Sequence, residues 1–207
     1  MAQQTSDALV GEPPATPRGR AKAERRVALL QAAAHLFARR GFEGVSLEDL
    51  GSAVGISGPA VYRHFSSKQA VIVALLVDAS ERLLRGGRRV VDEAPDDDAA
   101  LRSLIAFHTD FALTEPDVIR VQDRDLEALP PDQQKTVREL QRTYVDLWVA
   151  VLSRLAPATE RAELRLRAQA TFGLLNSTPF SARGLSAARM RALLEEMALA
   201  SLGRPRG

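Results

Sequence analysis

Between Ser57 and Lys68 the chain carries Ser57, Tyr62, Arg63, His64 and Lys68, side chains that donate hydrogen bonds or positive charge to phosphate oxygens. Gly58, Pro59 and Ala60 lie among them and have little side chain, so the backbone there can come close to a partner surface. An earlier cationic run, Arg18, Arg20, Lys22, Arg25 and Arg26, adds to this set. From Arg18 to Lys68 there are nine basic residues against four acidic, while residues 69 to 207 carry 19 against 20. The formal net charge of +2 therefore conceals an N-terminal excess of the kind needed to approach a polyanion. A solvated basic face would have the same composition, so charge alone does not choose the partner.

Other chemistry has little to work with. His35, His64 and His108 fall in separate segments without metal-ligand spacing, and there is no cysteine and no glycine-rich phosphate loop. No catalytic residue, metal or cofactor is expected. At 45% hydrophobic and 26% charged the composition is that of an ordinary globular chain of 207 residues. No apolar stretch approaches the ~18 residues needed to span a bilayer. Residues 1 to 20 also lack the apolar core of a signal peptide. The expectation is a cytoplasmic protein with no membrane partner.

The donors need short helices to position them. From about Ala23 to Arg40, Val27, Leu30, Ala34 and Phe37 recur at helical spacing, and Gly41 follows as a stop. Ser46 is a good N-cap with Asp49 three residues on, a capping box with Asp in place of Glu. That helix runs through Leu47, Leu50 and Val54 to Gly55. Ser57 caps a third helix, which holds Pro59 in its first turn, where N–H groups are unpaired anyway, and carries Ala60 to Phe65. Two short helices joined by a tight turn at Gly55 and Ile56 are a helix-turn-helix. Residues 1 to 20, with Gly11, Pro13, Pro14, Pro17 and Gly19, have little to bury and are expected to be a flexible tail ending in the basic arm.

After Lys68 a long helix carries Ile72, Leu75, Leu76, Ala79 and Leu83 on one face and weakens at Gly86 and Gly87. Asp92 to Asp98 reads as a loop. Leu101, Leu104, Ile105, His108 and Phe111 mark the next helix, broken near Pro116. A short charged helix spans about Asp117 to Ala128. Val137, Leu140, Tyr144, Leu147, Trp148, Val151 and Leu155 then form the cleanest amphipathic stripe in the chain. Two helices, about Glu160 to Asn176 and Ser186 to Leu202, close the sequence with Pro179 between them. With no strand signal and no internal repeat, the fold class is all-α with about nine helices. It divides into a tail (1–20), a helix-turn-helix domain (21–67) and a C-terminal helical bundle (68–207).

The segment Gly41 to Lys68, GFEGVSLEDLGSAVGISGPAVYRHFSSK, with LFARRGF at Leu36 to Phe42, resembles the N-terminal DNA-binding domain of the tetracycline-repressor (TetR) family. Val45 and Ser46, Gly55, the run Val61 to Phe65, and Ser67 with Lys68 carry the resemblance, which covers about residues 23 to 80. It implies a homodimeric, ligand-responsive transcriptional regulator, a repressor in the expected case, bound to double-stranded operator DNA. In the family, positions matching Tyr62, His64 and Lys68 grip the backbone, and those matching Gly58, Pro59 and Ala60 face bases. Pro59 departs from the pattern, where Gly is usual, which affects the base-reading pose and not the docking mode. The residues agree with that role, since a short helix with small N-terminal residues can enter a major groove ~12 Å wide and free N–H groups at helix starts attract phosphate. The expected DNA-binding set is Arg18, Arg20, Lys22, Ser46, Ser57, Gly58, Pro59, Ala60, Tyr62, Arg63, His64 and Lys68. Val61 and Phe65, four apart, belong to the core.

For residues 68 to 207 the resemblance implies an effector pocket among the middle helices and a dimer interface on the last two. Leu104, His108, Phe111, Tyr144, Trp148, Phe172 and Asn176 are the ligand-binding candidates, although each would serve equally as a core residue. Ala168, Ala170 and Gly173 are small enough for a two-fold four-helix interface or an intrachain contact. Arg124 to Trp148 is similar to regulators of actinobacterial type that respond to acyl-CoA thioesters or related lipids. The expected effector is thus a small apolar or acyl-type molecule. Arg120, Arg124, Arg138 and Arg142 could meet a phosphate-bearing effector, but Asp123, Asp125 and Glu139 beside them favour a solvated charged face. The alternative is a helical protein-interaction module of the same fold without operator binding, which salt-dependent DNA affinity would separate.

Overall fold

The computed structural model describes residues 16–181 and 184–202, which contain helices, turns and loops and no strand. Most of the expected tail lies outside the described residues, but its last part does not. Helix α1 (Pro17–Arg40) starts at Thr16, whose side chain accepts the Gly19 N–H at 3.1 Å. It therefore begins six residues ahead of Ala23 and includes Arg18, Arg20 and Lys22. Pro17 at the first helical position has no N–H to leave unpaired, and Arg20 to Arg26 are all strong helix formers. The basic arm is helix, not coil.

Helix α2 (Leu47–Ala53) is capped as expected: the Ser46 hydroxyl accepts the Asp49 N–H at 3.0 Å, and the Asp49 carboxylate accepts the Ser46 N–H at 2.8 Å. Gly55, at φ +71, reverses the chain towards α3 (Gly58–Val61). A Cβ on Gly51 would stand 2.7 Å from the Ile56 carbonyl oxygen and 3.0 Å from Val61 Cγ2, so α2 and α3 pack through that glycine. Helix α3 is a single turn, prolonged by turns through His64, where the pattern predicted helix as far as Phe65. Val61 and Phe65 are nevertheless buried in the core, as expected.

Helix α4 (Lys68–Asp92) runs without a break past Gly86 and Gly87. These glycines are contact points and not weak points: a Cβ on Gly86 would stand 2.1 Å from the Phe107 ring, and one on Gly87 2.5 Å from the Tyr144 ring. There follow α5 (Asp97–Thr114), α6 (Pro116–Asp125) with a 3-10 turn at Leu126–Ala128, α7 (Pro131–Leu155) and α8 (Arg161–Leu175). The single turn α9 (Thr178–Ser181) sits at the expected Pro179 break and precedes α10 (Ala187–Leu202). The nine-helix layout stands with that one-turn addition.

Two apolar clusters organise these helices. The first joins Leu29, Phe37, Leu50 and Val61 to Ile72 and Leu76 of α4, and is closed by Val118, Val121, Leu126, Leu129 and Val137 from α6, the 3-10 turn after it and the first part of α7. The second gathers Leu104, Trp148, Leu152, Leu164, Leu175 and Leu194 from α5, α7, α8 and α10. Each fully buried Leu or Phe contributes about 1.5–3 kcal/mol. Helix α4 takes part in both clusters. Among the described residues, no helix is long and apolar enough to cross a membrane.

Candidate nucleic-acid interface and ligand cavity

The first half of α1 meets the turn that follows α3. Arg26 donates to the His64 carbonyl at 3.5 Å and lies over the Phe65 ring at 4.5 Å. Burial, and then the charges of Lys22, Arg25, Arg26 and Arg63, hold the His64 imidazole below its ordinary pKa. The two basic segments, about forty positions apart in sequence, thus form one cationic patch around His64. Near pH 7 that ring is neutral and keeps one N–H to donate. Tyr62, 55% exposed, stands clear of the core.

Ser57, Pro59 and Arg63 are exposed, and Gly58, Ala60 and His64 are half-buried. Ser57 takes the N-cap position without a side-chain cap hydrogen bond. Pro59 supplies no N–H at the second helical position, where a cap would bond. The Ser57 hydroxyl is left for another partner. Ser46 is exposed, but its hydroxyl is committed to Asp49 at 2.8 Å. Ser46, Tyr62 and Lys68 border one shallow groove of about 580 Å³ beside the starts of α2 and α4. Lys68 is partly engaged there, 3.6 Å from the Glu43 carboxylate and 4.4 Å above the Phe42 ring. The space at Gly58 faces Glu48, whose Cγ would stand 3.3 Å from an added Cβ. The chain pattern gave no sign of Glu48, because its effect depends on how α2 crosses α3.

In the C-terminal bundle, His108, Phe111, Tyr144, Phe172 and Asn176 line one cavity of about 180 Å³. Leu104 and Trp148 do not line it. Both are fully buried behind its wall, with the Trp148 ring edge-on to Phe172 at 4.9 Å. His108 is stacked on Tyr144 at 5.7 Å, and its Nε2 donates to Asn176 Oδ1 at 3.1 Å. Its Nδ1 is then the acceptor facing the Tyr144 hydroxyl at 3.4 Å. Burial pushes the His108 pKa down to about 4 and raises that of the Tyr144 phenol, so both are uncharged at neutral pH. The sequence pattern missed Ser80, Ile119, Gln122 and Gln141 on the same wall. Polar residues at helical spacing on mixed faces carry no mark of pointing inward.

Helix α6 joins the cavity to α1. Ile119 and Gln122 face the cavity, while Asp117 pairs with His35 at 3.1 Å. Arg124 donates to the Phe37 carbonyl at 2.6 Å and the Ala38 carbonyl at 3.4 Å, with two further bonds to Asp125 at 2.8 and 2.9 Å. Arg124 therefore adds a side-chain donor at the last carbonyls of α1, where the Phe37 carbonyl also accepts the Gly41 N–H at 2.8 Å. Its side chain remains 41% exposed while it makes these bonds. Arg120 donates to the Pro179 carbonyl at 2.7 Å and Arg138 pairs with Glu127.

The outward faces of α8 and α10 expose apolar groups, Leu166 at 66% and Met197 at 44%, with Ala162, Gln169, Ala170 and Gly173 on the same side of α8. Nothing lies within 4 Å of a Cβ built on Gly173. Ala168, expected with them, is fully buried inside the bundle.

Residues 29–75 match the family model of bacterial regulatory proteins of the tetR family, and residues 94–202 match the tetracyclin repressor-like C-terminal domain. The HTH-type transcriptional repressor KstR2 of Rhodococcus jostii is 28% identical over 141 residues, 68% of this chain and 69% of that protein. A TetR-family transcriptional regulator from Bordetella parapertussis superposes with a TM-score of 0.74 at 26% identity, covering 84% of this chain and 93% of that one. FadR from Bacillus subtilis, solved with stearoyl-CoA, shares the fold with a TM-score of 0.67 at 14% identity, over 84% and 98% of the two chains. A helix-turn-helix bearing a cationic patch, followed by a helical bundle matched over more than half of the sequence, makes the chain a member of the TetR family of DNA-binding transcriptional regulators.

Proposed function

We propose that the chain is a homodimeric, cytoplasmic repressor that leaves its operator when a small apolar or acyl-type effector occupies the cavity beside His108. The observation that carries the DNA-binding reading is the convergence of Lys22, Arg25, Arg26 and Arg63 on His64, beside exposed Tyr62. Tyr62, His64 and Lys68 hold phosphates, with Arg18, Arg20 and Lys22 along the flank, and Gly58, Pro59 and Ala60 meet base edges. Residues 21–67 are the reading head and 68–207 the regulatory and pairing part. The outward faces of α8 and α10, carrying exposed Leu166 and Met197, pair two copies, so that two α3 helices meet successive major grooves ~34–36 Å apart.

An effector acts only through differential affinity for two states. Ile119 and Gln122 on α6, and Ser80 and Leu83 on α4, form part of the cavity wall. Swelling that wall displaces α6, and with it the Arg124 and Asp117 contacts to α1. The stearoyl-CoA in FadR supports an acyl-type effector as one that this fold accommodates.

The test is operator affinity at two salt concentrations for the wild type and for a folded Tyr62→Phe, Lys68→Ala double variant. Wild-type binding is expected to weaken steeply as salt rises, and the variant to bind less at both. Equal binding by the two would count against these phosphate contacts. A dimer in sedimentation that becomes a monomer on Leu166→Glu, Met197→Glu is the outcome expected for the pairing surface. A dimer that survives those changes rules that surface out.

A further inference from the structure

The wall of the His108 cavity narrows what it can take, given the reading of that cavity as the effector site. Five helices supply its lining, and no lining side chain is charged. Beyond the aliphatic and aromatic groups there are only Ser80, His108, Gln122, Gln141, Tyr144 and Asn176. Several of these are already paired inside the protein: the Ser80 hydroxyl donates to the Leu76 carbonyl at 2.7 Å, and Tyr144, His108 and Asn176 form the chain described above. Gln141 is different. Its Nε2 is buried and has no hydrogen-bond partner, although buried donors are almost always satisfied. At about 180 Å³, the space slightly exceeds the ~150 Å³ known to admit a benzene ring and falls below the ~300 Å³ of drug-sized sites.

We propose that the cavity binds a small uncharged molecule, about the size of one substituted ring, whose carbonyl oxygen accepts a hydrogen bond from Gln141 Nε2. A carboxylate or phosphate in the same space would lose its water without meeting a cation. An entirely apolar guest would fit but would leave the Gln141 donor unpaired.

The single tryptophan, Trp148, touches Phe172 of the cavity wall, so its emission reports occupancy. Three probes matched in size are titrated into the full chain: cyclohexyl methyl ketone, cyclohexanecarboxylate and isopropylcyclohexane. The ketone is expected to saturate the signal and to bind at least about tenfold more tightly than the carboxylate. Gln141→Met should weaken the ketone about three- to tenfold, the span of one hydrogen bond, and leave isopropylcyclohexane unchanged. A carboxylate that binds as well as the ketone, or a ketone that gives no saturable change, overturns the proposal. The wild-type comparison needs no variant and holds even if Gln141→Met unfolds. Operator release is scored separately. A ketone that binds as expected but never alters DNA affinity refutes the effector reading while the cavity's chemistry stands. Release of the operator by some other ligand, with no ketone binding, refutes this inference alone.

Discussion

Tyr144 packs against the backbone of Gly87 so closely that a Cβ there would stand 2.5 Å from its Cε2 atom. The ring is also stacked on His108 and on Phe172, with centroids at 5.7 and 5.6 Å, so it has little room to retreat. One glycine on α4 thereby fixes the position of a cavity wall on α7.

Gly87→Ala is accordingly expected to destabilise the fold by about 1–3 kcal/mol through overpacking. The better helix propensity of alanine offsets at most about 1 kcal/mol of this. For a chain of this length the midpoint of thermal unfolding should drop by roughly 2–10 °C, measured by scanning calorimetry. A variant at least as stable as the wild type would show that Tyr144 can move aside.

Arg124→Ala should release the last turn of α1. The Phe37 and Ala38 carbonyls lose the guanidinium, with Phe37 keeping the Gly41 N–H, and Asp125, 9% exposed at its side chain, loses its cationic neighbour. Because Arg124 is itself 41% exposed, the expected loss is limited to about 1–3 kcal/mol. Amide exchange at the end of α1 should quicken more than at α10. Arg124→Lys should recover only part, since one ammonium cannot serve two carbonyls and a carboxylate in the same geometry.

Arg25→Ala with Arg63→Ala should weaken operator binding at every sequence alike and flatten its salt dependence. Each phosphate contact removed should reduce the slope of log K against log salt by about 0.9. Fluorescence anisotropy over a salt series measures both. An unchanged slope would mean that these guanidinium groups face away from the duplex.

Stability should depend on pH through His108. Its pKa is about 4 when folded and ~6.5 when unfolded, so the unfolded chain binds the proton more readily. Stability from this group is complete above about pH 6.5 and is lost as pH falls towards 4, by roughly 3 kcal/mol in all. Denaturant titrations at pH 7.5 and 4.5 should show that His108→Gln loses less across this window than the wild type does. Equal losses would place the acid sensitivity elsewhere.

The helix-turn-helix was legible because local signals dominate there: Ser46 with Asp49, Gly55, and Pro59 in a first turn each act within a few residues. Val61 and Phe65 were legible as core for the same reason. What escaped was set by distant partners. Gly86 and Gly87 look like a helix end until Phe107 and Tyr144 arrive from other helices. Arg124 pairs with its acidic neighbour Asp125, as its sequence context suggests, but it also reaches carbonyls 86 and 87 positions away. At the cavity, aromatic residues on an apolar face pointed to His108, Tyr144 and Phe172. No one-dimensional pattern could separate Trp148 behind the wall from Gln141 within it.

Val118, Val121, Leu126, Leu129 and Val137 complete the core beneath α1 to α4, and this sets a limit on modular exchange. A graft of residues 21–67 into a relative would carry off one side of a fitted joint and leave its counterpart behind. The transplant that keeps its seal has to bring along α6 and the first turns of α7. For the same reason, drift in α1 is tethered to drift in a helix some eighty positions downstream.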